Sequence, residues 1–356
     1  MFGIHRRAYA AQMSTSTVQR RVVDRLEGLG GASLDDESVR LEALAIVRAA
    51  LPFDAWSWAT SDPTSQLAAS ALAEHPFERG MLALLRVEED PTEVNRRRAL
   101  ARTRERAAAL SVSTQGHLER SRRWREQLAD HDVADELRIV FADRSGCWGY
   151  LDLYTLGSAR YDEDEVALGS AIARLLTPSL RRATPPDCAA DAAGVREPAV
   201  LIVDDALHVR AQTGPATRWL PQLRSDGHQP LPCAVLAATA RASVGPADGT
   251  AAVRERCADG RWATVRAARL DVGGVAITIE HSAPREVLDY LARAGALTRR
   301  EREVLALLFR GADTRAVAER LVIEPGTVQD HVKAILTKTG HPTRRELLAS
   351  VVTAGD

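Results

Sequence analysis

The chain has 356 residues, of which 45% are hydrophobic and 27% are charged, and these values are typical of a folded protein with roughly two or three domains. The net charge is −1, which excludes a protein that is basic over its whole surface, so any nucleic-acid site must be a local patch. Among the basic residues only Lys333 and Lys338 are lysine.

The cysteine pattern and the hydropathy of the sequence indicate in which cell compartment the protein is expected. The four cysteines have no metal-type spacing, no apolar run approaches the ~20 residues that span a bilayer, and residues 1–20 lack an apolar signal segment. We therefore expect a cytoplasmic protein with no membrane partner, no metal site and no cofactor.

The first 183 residues mix helical and strand periods, which predicts an α+β domain over 18–183. Two helices are expected first, over 18–29 and 37–50, followed by a strand at 53–60. The arginine-rich segment 92–127 predicts one or two long helices interrupted near Gly116. Its interspersed acids favour a solvated helix face over a nucleic-acid contact. A hairpin (137–141 and 147–153) and a helix with an acidic start (161–182) complete the domain.

Proline, glycine and small residues over 184–198 predict a linker. A second α+β domain is expected over 199–282, with strands at 200–203, 208–211, 262–265, 267–270 and 275–280 and a short helix at 215–223. Residues 282–294 are expected to form a helix or a connector, within a connecting segment over 283–296, and the period is helical from Leu297 onward.

The segment Val200–Asp205 resembles the first strand and acidic turn of a phosphorylation receiver domain. Such a domain also needs a lysine near its phosphoryl group, and the chain has none between Asp205 and Lys333. We therefore favour a buried strand with a polar turn. The order of strands over 199–282 instead resembles a PAS-type sensor domain, without a recognisable haem or flavin motif.

Local signals define four helices at the carboxy end. Thr298 and Glu301 have the spacing of a capping box, and Gly311 ends the first helix. Asp313 is positioned to cap a helix over 314–321, and Pro325 occupies the first turn of a helix that reaches about Lys338. A fourth helix, 344–352, follows the cap residue Thr343.

The third of these helices divides into two faces. Its apolar residues have the spacing of a buried stripe: Val328, Val332, Ile335 and Leu336. The opposite face carries polar and small side chains that suit base edges and phosphates: Gly326, Gln329, Asp330, Lys333 and Thr337.

The carboxy-terminal segment resembles the LuxR-type DNA-binding domain. The residues that carry the resemblance are Leu297–Thr298, Arg300–Glu301, Glu303–Leu305, Gly311, Ala318, Leu321, Thr327–Val328, His331–Val332 and Leu347. The resemblance implies an all-α four-helix domain over 297–356 that places its third helix in the major groove of double-stranded DNA. It also implies a homodimer and RNA polymerase as a further partner. The DNA-binding residues that it indicates are Thr314, Arg315, Thr327, Val328, Gln329, Asp330, Lys333, Thr337, Lys338 and Arg344.

The chain departs from the family pattern near the third helix. Val322 stands where a glycine is usual, Glu324 replaces a capping serine or threonine, and Ala316 replaces a common glutamate. Glu324 and Asp330 also place negative charge beside a polyanion, which we expect to weaken phosphate binding.

The segment 135–182 resembles the GAF-like sensor domain that precedes many LuxR-type domains. That resemblance implies a small-molecule ligand between sheet and helices, with Trp56, Trp58 and Trp148 as candidate contacts. The alternative is that these tryptophans fill a core.

The expected fold is therefore α+β multidomain, with a GAF-like domain, a PAS-like domain and a helical LuxR-type domain. No phosphate loop, dinucleotide motif or nucleophile elbow is present, so an enzyme is not expected. The expected function is transcription regulation by DNA binding under sensor control. The alternative is an adaptor that uses its four-helix end to bind another protein.

Overall fold

The computed structural model describes residues 21–29, 35–74, 80–183, 197–225, 229–245, 249–257 and 259–352. Residues 184–196, which form most of the predicted linker, and Cys188 lie outside these ranges. Two antiparallel sheets are followed by a helical carboxy-terminal module. Within the described ranges no helix is long and apolar enough to cross a membrane, and no three metal-binding side chains come together.

The first module begins with helix α1 (21–29) and builds one sheet. Its elements are α2 (Asp36–Val47), β1 (Ala55–Ser61), β2 (Ala68–Glu74), α3 (Met81–Glu88), α4 (Arg97–Leu100), β3 (Ala107–Ala109), α5 (Leu110–Thr114), short turns at Leu118–Arg120, Trp124–Leu128 and Ala129–His131, β4 (Val133–Asp143), β5 (Gly146–Leu156) and α6 (Glu163–Arg182). The strand order is β2-β1-β5-β4-β3. The predicted hairpin and the helix after it are confirmed, with Asp162 as the cap of α6.

The prediction of long helices over 92–127 is wrong. The segment contains only α4, β3, α5 and single turns. Its arginines explain the difference, because two of them enter a buried ionic layer on one face of the sheet instead of facing solvent. Arg123 Nη2 lies 2.5 Å from Glu136 Oε2, and Arg97 pairs with Asp152. The predicted solvated arginine face is therefore also wrong for these two residues, since the side chain of Arg123 is buried and that of Arg97 is only 16% exposed.

The second module repeats the same strand order. Its elements are β6 (Ala199–Val203), β7 (Val209–Gln212), α7 (Ala216–Trp219) with a turn at Leu220–Gln222, α8 (Cys233–Val244), β8 (Thr250–Arg256), β9 (Trp262–Arg269) and β10 (Val275–His281). The sheet runs β7-β6-β10-β9-β8. The prediction of two strands within 262–270 is wrong, because buried Ala263, Val265 and Ala267 alternate without a break along β9.

Helix α8, which sequence patterning missed, joins the two modules. It is apolar on all sides, with eight buried residues between Ala234 and Ala242, and such a helix belongs inside a core. It packs against β8 and β9 on one side and against β2 and α3 on the other. One hydrophobic cluster consequently runs from Ala68 and Tyr150 in the first module to Val265 and Ile277 in the second.

The carboxy-terminal module consists of α9 (Pro284–Ala294), α10 (Arg299–Phe309), α11 (Thr314–Leu321), α12 (Pro325–Thr339) and α13 (Arg344–Val352). The last four match the four helices that the sequence predicts. The segment expected as a helix or a connector forms the helix α9, and its Leu288, Leu291 and Ala292 pack into the core of the helices that follow.

Candidate nucleic-acid interface

Short-range caps hold the first two helices of the candidate interface. The capping box at the start of α10 is present, since Thr298 Oγ1 accepts from the Glu301 amide at 3.3 Å and Glu301 Oε2 accepts from the Thr298 amide at 2.7 Å. Asp313 Oδ1 accepts from the Ala316 amide at 2.8 Å. These bonds satisfy amides that a helix start leaves without partners. The local sequence therefore sets where α10 and α11 begin.

The turn between α11 and α12 carries the departures noted in the sequence. Val322 has φ = 53° and is 89% exposed, so a β-branched residue occupies the left-handed region that favours glycine. Glu324 precedes α12 but makes no side-chain cap, while Pro325 occupies the first turn. The turn keeps the helix-turn-helix path at a cost in backbone strain.

Helix α12 has the two faces that its sequence predicts. Ile335 and Val328 are buried in the core of the module, with Val332 and Leu336 packed beside them. Val328 is 0% exposed, so its inclusion among DNA-contacting side chains is wrong. Its side chain packs in the hydrophobic core on the buried face of α12. Gln329, Asp330, Lys333 and Thr337 face solvent, as does Thr327 at the start of the helix.

The exposed face of α12 lines a groove of about 400 Å³. Its walls come from the start of α11, the outer face of α12 and the segment that leads into α13. Five of the predicted contact residues meet there: Thr314, Gln329, Lys333, Thr337 and Arg344. The side chains combine an amide, hydroxyls, an ammonium and a guanidinium, which are groups that bond base edges and phosphate oxygens.

The two lysines of the chain have different environments. Lys333 is exposed, and no ion pair or side-chain hydrogen bond involves it within the described residues. Lys338 Nζ instead donates to both carboxylate oxygens of Glu301. Although burial acts to raise the pKa of Glu301, the hydrogen bond from Lys338 and the Thr298 amide lower it below 4.5. Lys333 is available to a ligand, whereas Lys338 ties α12 to α10.

Two predicted arginines also differ in availability. Arg344 Nη2 donates to the Ala312 carbonyl at 2.8 Å, which fixes the start of α13 to the α10–α11 turn. Arg315 is 85% exposed and pairs with Glu319 one turn later at 3.0 Å. An exposed pair of this kind contributes little to stability, so Arg315 can exchange its partner for a phosphate, while Arg344 is held in place.

The three candidate ligand-binding tryptophans do not share one pocket. Trp58 is 0% exposed and stacks on Phe141 in the core, with ring centroids 5.2 Å apart. Trp56 lies in the same core, and its Nε1 donates to Glu74 at 3.0 Å. Trp148 faces elsewhere and meets Tyr290 of α9 edge-on at 5.8 Å. The arrangement favours core packing for Trp56 and Trp58.

Sequence patterns missed some residues at the interface and at its connection to the sheets. His341 lines the groove, and its Nε2 lies 3.1 Å from Ser350 Oγ of α13. Helix α9 contacts both sheets through Tyr290, which lies between Trp148 and Trp262. The apolar period of α9 is visible in the sequence, but no local signal indicates which surfaces it joins.

The carboxy-terminal module resembles known proteins in sequence. Residues 295–351 match the family described as bacterial regulatory proteins, luxR family. The transcriptional regulatory protein DesR of Bacillus subtilis is 38% identical over 66 residues, which are 18% of this chain and 33% of DesR. A putative HTH-type regulator of Aeromonas salmonicida is 49% identical over 51 residues, 14% of this chain and 26% of that protein. The chain thus spans a third or less of these relatives.

Among solved structures, SdiA of Escherichia coli aligns with a TM-score of 0.35 at 11% identity, covering 95% of this chain and 98% of SdiA. That superposition is too loose to transfer any arrangement of modules. The sequence match and the helix-turn-helix geometry agree over the same residues. The chain carries, over residues 295–351, a helix-turn-helix domain of the LuxR family.

Proposed function

We propose that the chain is a transcription regulator that inserts α12 into the major groove of double-stranded DNA. The observation that carries the proposal is the groove on α12, where Gln329, Lys333 and Thr337 are exposed beside Thr314 and Arg344. Both relatives described above are named as transcriptional regulators, and the groove residues lie within the segment 295–351 that matches the luxR family. Gln329 is suited to adenine, and Lys333 to guanine or phosphate.

We further propose a homodimer on a two-fold DNA site, because one module presents a single recognition helix and so reads only a half-site. Two copies related by a two-fold axis double the number of contacts and fix the spacing of the half-sites. The boundaries we propose for the working parts are 18–183, 199–282 and 297–356, with 283–296 as the segment between sheets and DNA-binding domain.

Control by the two sheets is proposed to pass through α9. On its outer side, Asp289 Oδ2 accepts from Thr64 at 3.2 Å, and Arg293 Nη1 donates to the Ser145 carbonyl at 3.1 Å. Glu286 pairs with Arg266 of β9 at 2.5 Å. The other side of α9 lies in the core of the DNA-binding module. A shift in either sheet is therefore transmitted to α10–α13 through a helix that contacts all three parts.

A buried ion pair makes the two sheets respond together. Arg254 of β8 forms two bonds with the Asp62 carboxylate, of 2.8 and 3.0 Å, and its Nη1 donates to the Glu286 carbonyl of α9 at 2.7 Å. Removal of one partner from such a pair leaves a buried charge uncompensated. This contact supports a sensor function that resides in the junction of the modules. It does not depend on a ligand at the three tryptophans.

The function is tested by selection of bound duplexes from a random DNA library with the intact protein. We expect enrichment of a sequence with two-fold symmetry and half-sites about one helical turn apart. Failure to enrich any sequence at low salt, from protein shown to be folded by its melting transition, would contradict the proposal. Binding without sequence preference would show that the protein contacts DNA only through non-specific electrostatic attraction.

A further inference from the structure

Helices α9 and α10 leave a groove that the DNA-binding proposal does not use. Its volume is about 360 Å³, and its floor is apolar. The floor residues are Leu288, Ala292, Leu305, Ala306 and Phe309. None of the residues that line it lines the groove on α12. Both grooves are therefore open to separate partners at the same time.

The rim of this groove is cationic. Arg285, Arg302 and Arg310 stand around the apolar floor, and none of the three pairs with a carboxylate within the described parts of the chain. Arg302 Nε donates only to the Leu297 carbonyl, at 3.1 Å. The one acid in the lining, Asp289, is engaged by Arg293 at 2.9 Å and Arg254 at 3.5 Å. The free charge at the rim is consequently positive.

A second hollow extends the surface along α10. It measures about 620 Å³ and adjoins the first at Arg302 and Ala306. Arg144 of the β4–β5 turn adds a positive charge to its lining, whereas Arg299 in the same lining pairs with Glu303 at 3.1 Å. Helices α9 and α10 have 11 residues each, or about 16 Å at 1.5 Å per residue. The surface is thus long enough for about three turns of a docked helix.

We propose that this surface docks an acidic amphipathic helix of a partner protein. An apolar stripe on that helix would cover Leu288, Ala306 and Phe309, and flanking carboxylates would meet Arg285 and Arg310. DNA is a poorer occupant, because a phosphate backbone gains nothing from an apolar floor. The partner is defined here by its chemistry: a leucine-striped helix with glutamate or aspartate on its borders.

The probe is a fluorescein-labelled synthetic helix of about four turns, with a leucine stripe bordered by glutamates. Its binding to the full chain is followed by fluorescence anisotropy. We expect saturable binding that the double variant Arg285→Glu/Arg310→Glu weakens about tenfold or more. The matched control is Arg174→Glu, an exposed arginine of α6 far along the chain from the groove. It is expected to leave binding unchanged.

A second variant tests the apolar floor without altering charge. Ala306→Trp fills the groove at its centre and is expected to abolish binding of the peptide, while the melting transition shows that the chain remains folded. A peptide in which lysines replace the glutamates is expected not to bind. Because the readout contains no DNA, failure of the DNA-binding proposal would leave this test intact.

Four results would overturn the inference. The first is equal binding of the acidic and basic peptides, and the second is unchanged binding to both groove variants. The third is tighter peptide binding after removal of residues 353–356, which would assign the groove to the chain's own carboxy-terminal segment. A loss of DNA affinity in Arg285→Glu/Arg310→Glu with unchanged peptide binding would likewise assign these arginines to DNA.

Discussion

Lys338 of α12 donates to both carboxylate oxygens of Glu301 on α10, at distances of 2.6 and 2.8 Å. The same carboxylate accepts from the Thr298 amide in the capping box. One side chain therefore joins the start of α10 to the end of the proposed recognition helix. This contact assigns Lys338 to the support of the helix, and it leaves Lys333 as the lysine that faces outward.

Lys338→Ala is expected to lower the free energy of unfolding by about 1 kcal/mol, a modest value because the lysine side chain is 37% exposed and solvent screens the pair. The pKa of Glu301 is lowered in the folded protein, so its contribution is present at neutral pH and lost as the pH falls through that lowered pKa. Denaturant titrations at neutral and acid pH measure both effects. An unchanged stability at neutral pH would show that the pair is only a surface contact.

Tyr290→Ala is expected to loosen α9 from both sheets, because it removes ring contacts to Trp262 at 4.3 Å and Trp148 at 5.8 Å. We expect the free energy of local opening, measured by hydrogen exchange of the α9 amides, to fall by about 1–2 kcal/mol. Faster exchange is also expected in α13, because Val351 packs with Trp262 and Val287.

The control for this measurement is Leu41→Ala, which shortens an exposed leucine of α2 and is expected to leave exchange in α9 unchanged. If Tyr290→Ala alters neither α9 nor α13, then α9 does not carry the contact between the sheets and the DNA-binding module.

Val322→Gly is expected to raise the free energy of unfolding of the carboxy-terminal module by up to about 1 kcal/mol, because glycine adopts φ = 53° without the penalty of a β-branched side chain. Val272→Gly provides the comparison. Val272 is 93% exposed and does not have a positive φ, so the same change there should not stabilise the protein. Thermal melting of both variants decides whether the turn stores strain.

The helices of the carboxy-terminal module were predictable because their signals are local. Thr298, Asp313 and Pro325 each act on an amide or a backbone angle within the next turn. The front of the chain offered fewer such signals. Arg123 reaches Glu136 of β4, 13 positions along the chain, and this pairing cannot be predicted from helical periodicity. Helix α8 was not predicted because its apolar residues lie on every face, so the sequence shows no amphipathic helical period.

Glu255 predicts a pH dependence at the junction of the modules. Burial raises the pKa of Glu255 to about 8 from its ordinary 4.5, and its Oε1 accepts from the Arg224 amide at 2.7 Å. A raised carboxyl pKa means that the folded chain binds more protons than the unfolded chain between these two values. The contribution of Glu255 to the free energy of unfolding therefore falls as the pH rises from about 4.5 to about 8.

Glu255→Gln is expected to flatten this fall in stability, since an amide does not titrate. The exposed Glu42→Gln on α2 is the matched control and should keep the slope of the parent protein. Denaturant titrations from pH 5 to about 8.5 compare the three proteins. A wild-type stability that is flat or rises over this range, with no change in Glu255→Gln, would show that the carboxyl group is not buried in solution.

The salt dependence of DNA binding by Lys333→Ala tests most directly whether the exposed face of α12 contacts DNA. The DNA is the sequence selected by the intact protein, and affinity is measured across a range of salt concentrations with Lys338→Ala beside it. Lys333→Ala is expected to cost about 1–3 kcal/mol if the lysine bonds a base, or to reduce the salt slope by about one if it neutralises a phosphate. Lys338→Ala is expected to do neither. Unchanged affinity and unchanged slope for Lys333→Ala would remove the exposed face of α12 from the DNA interface.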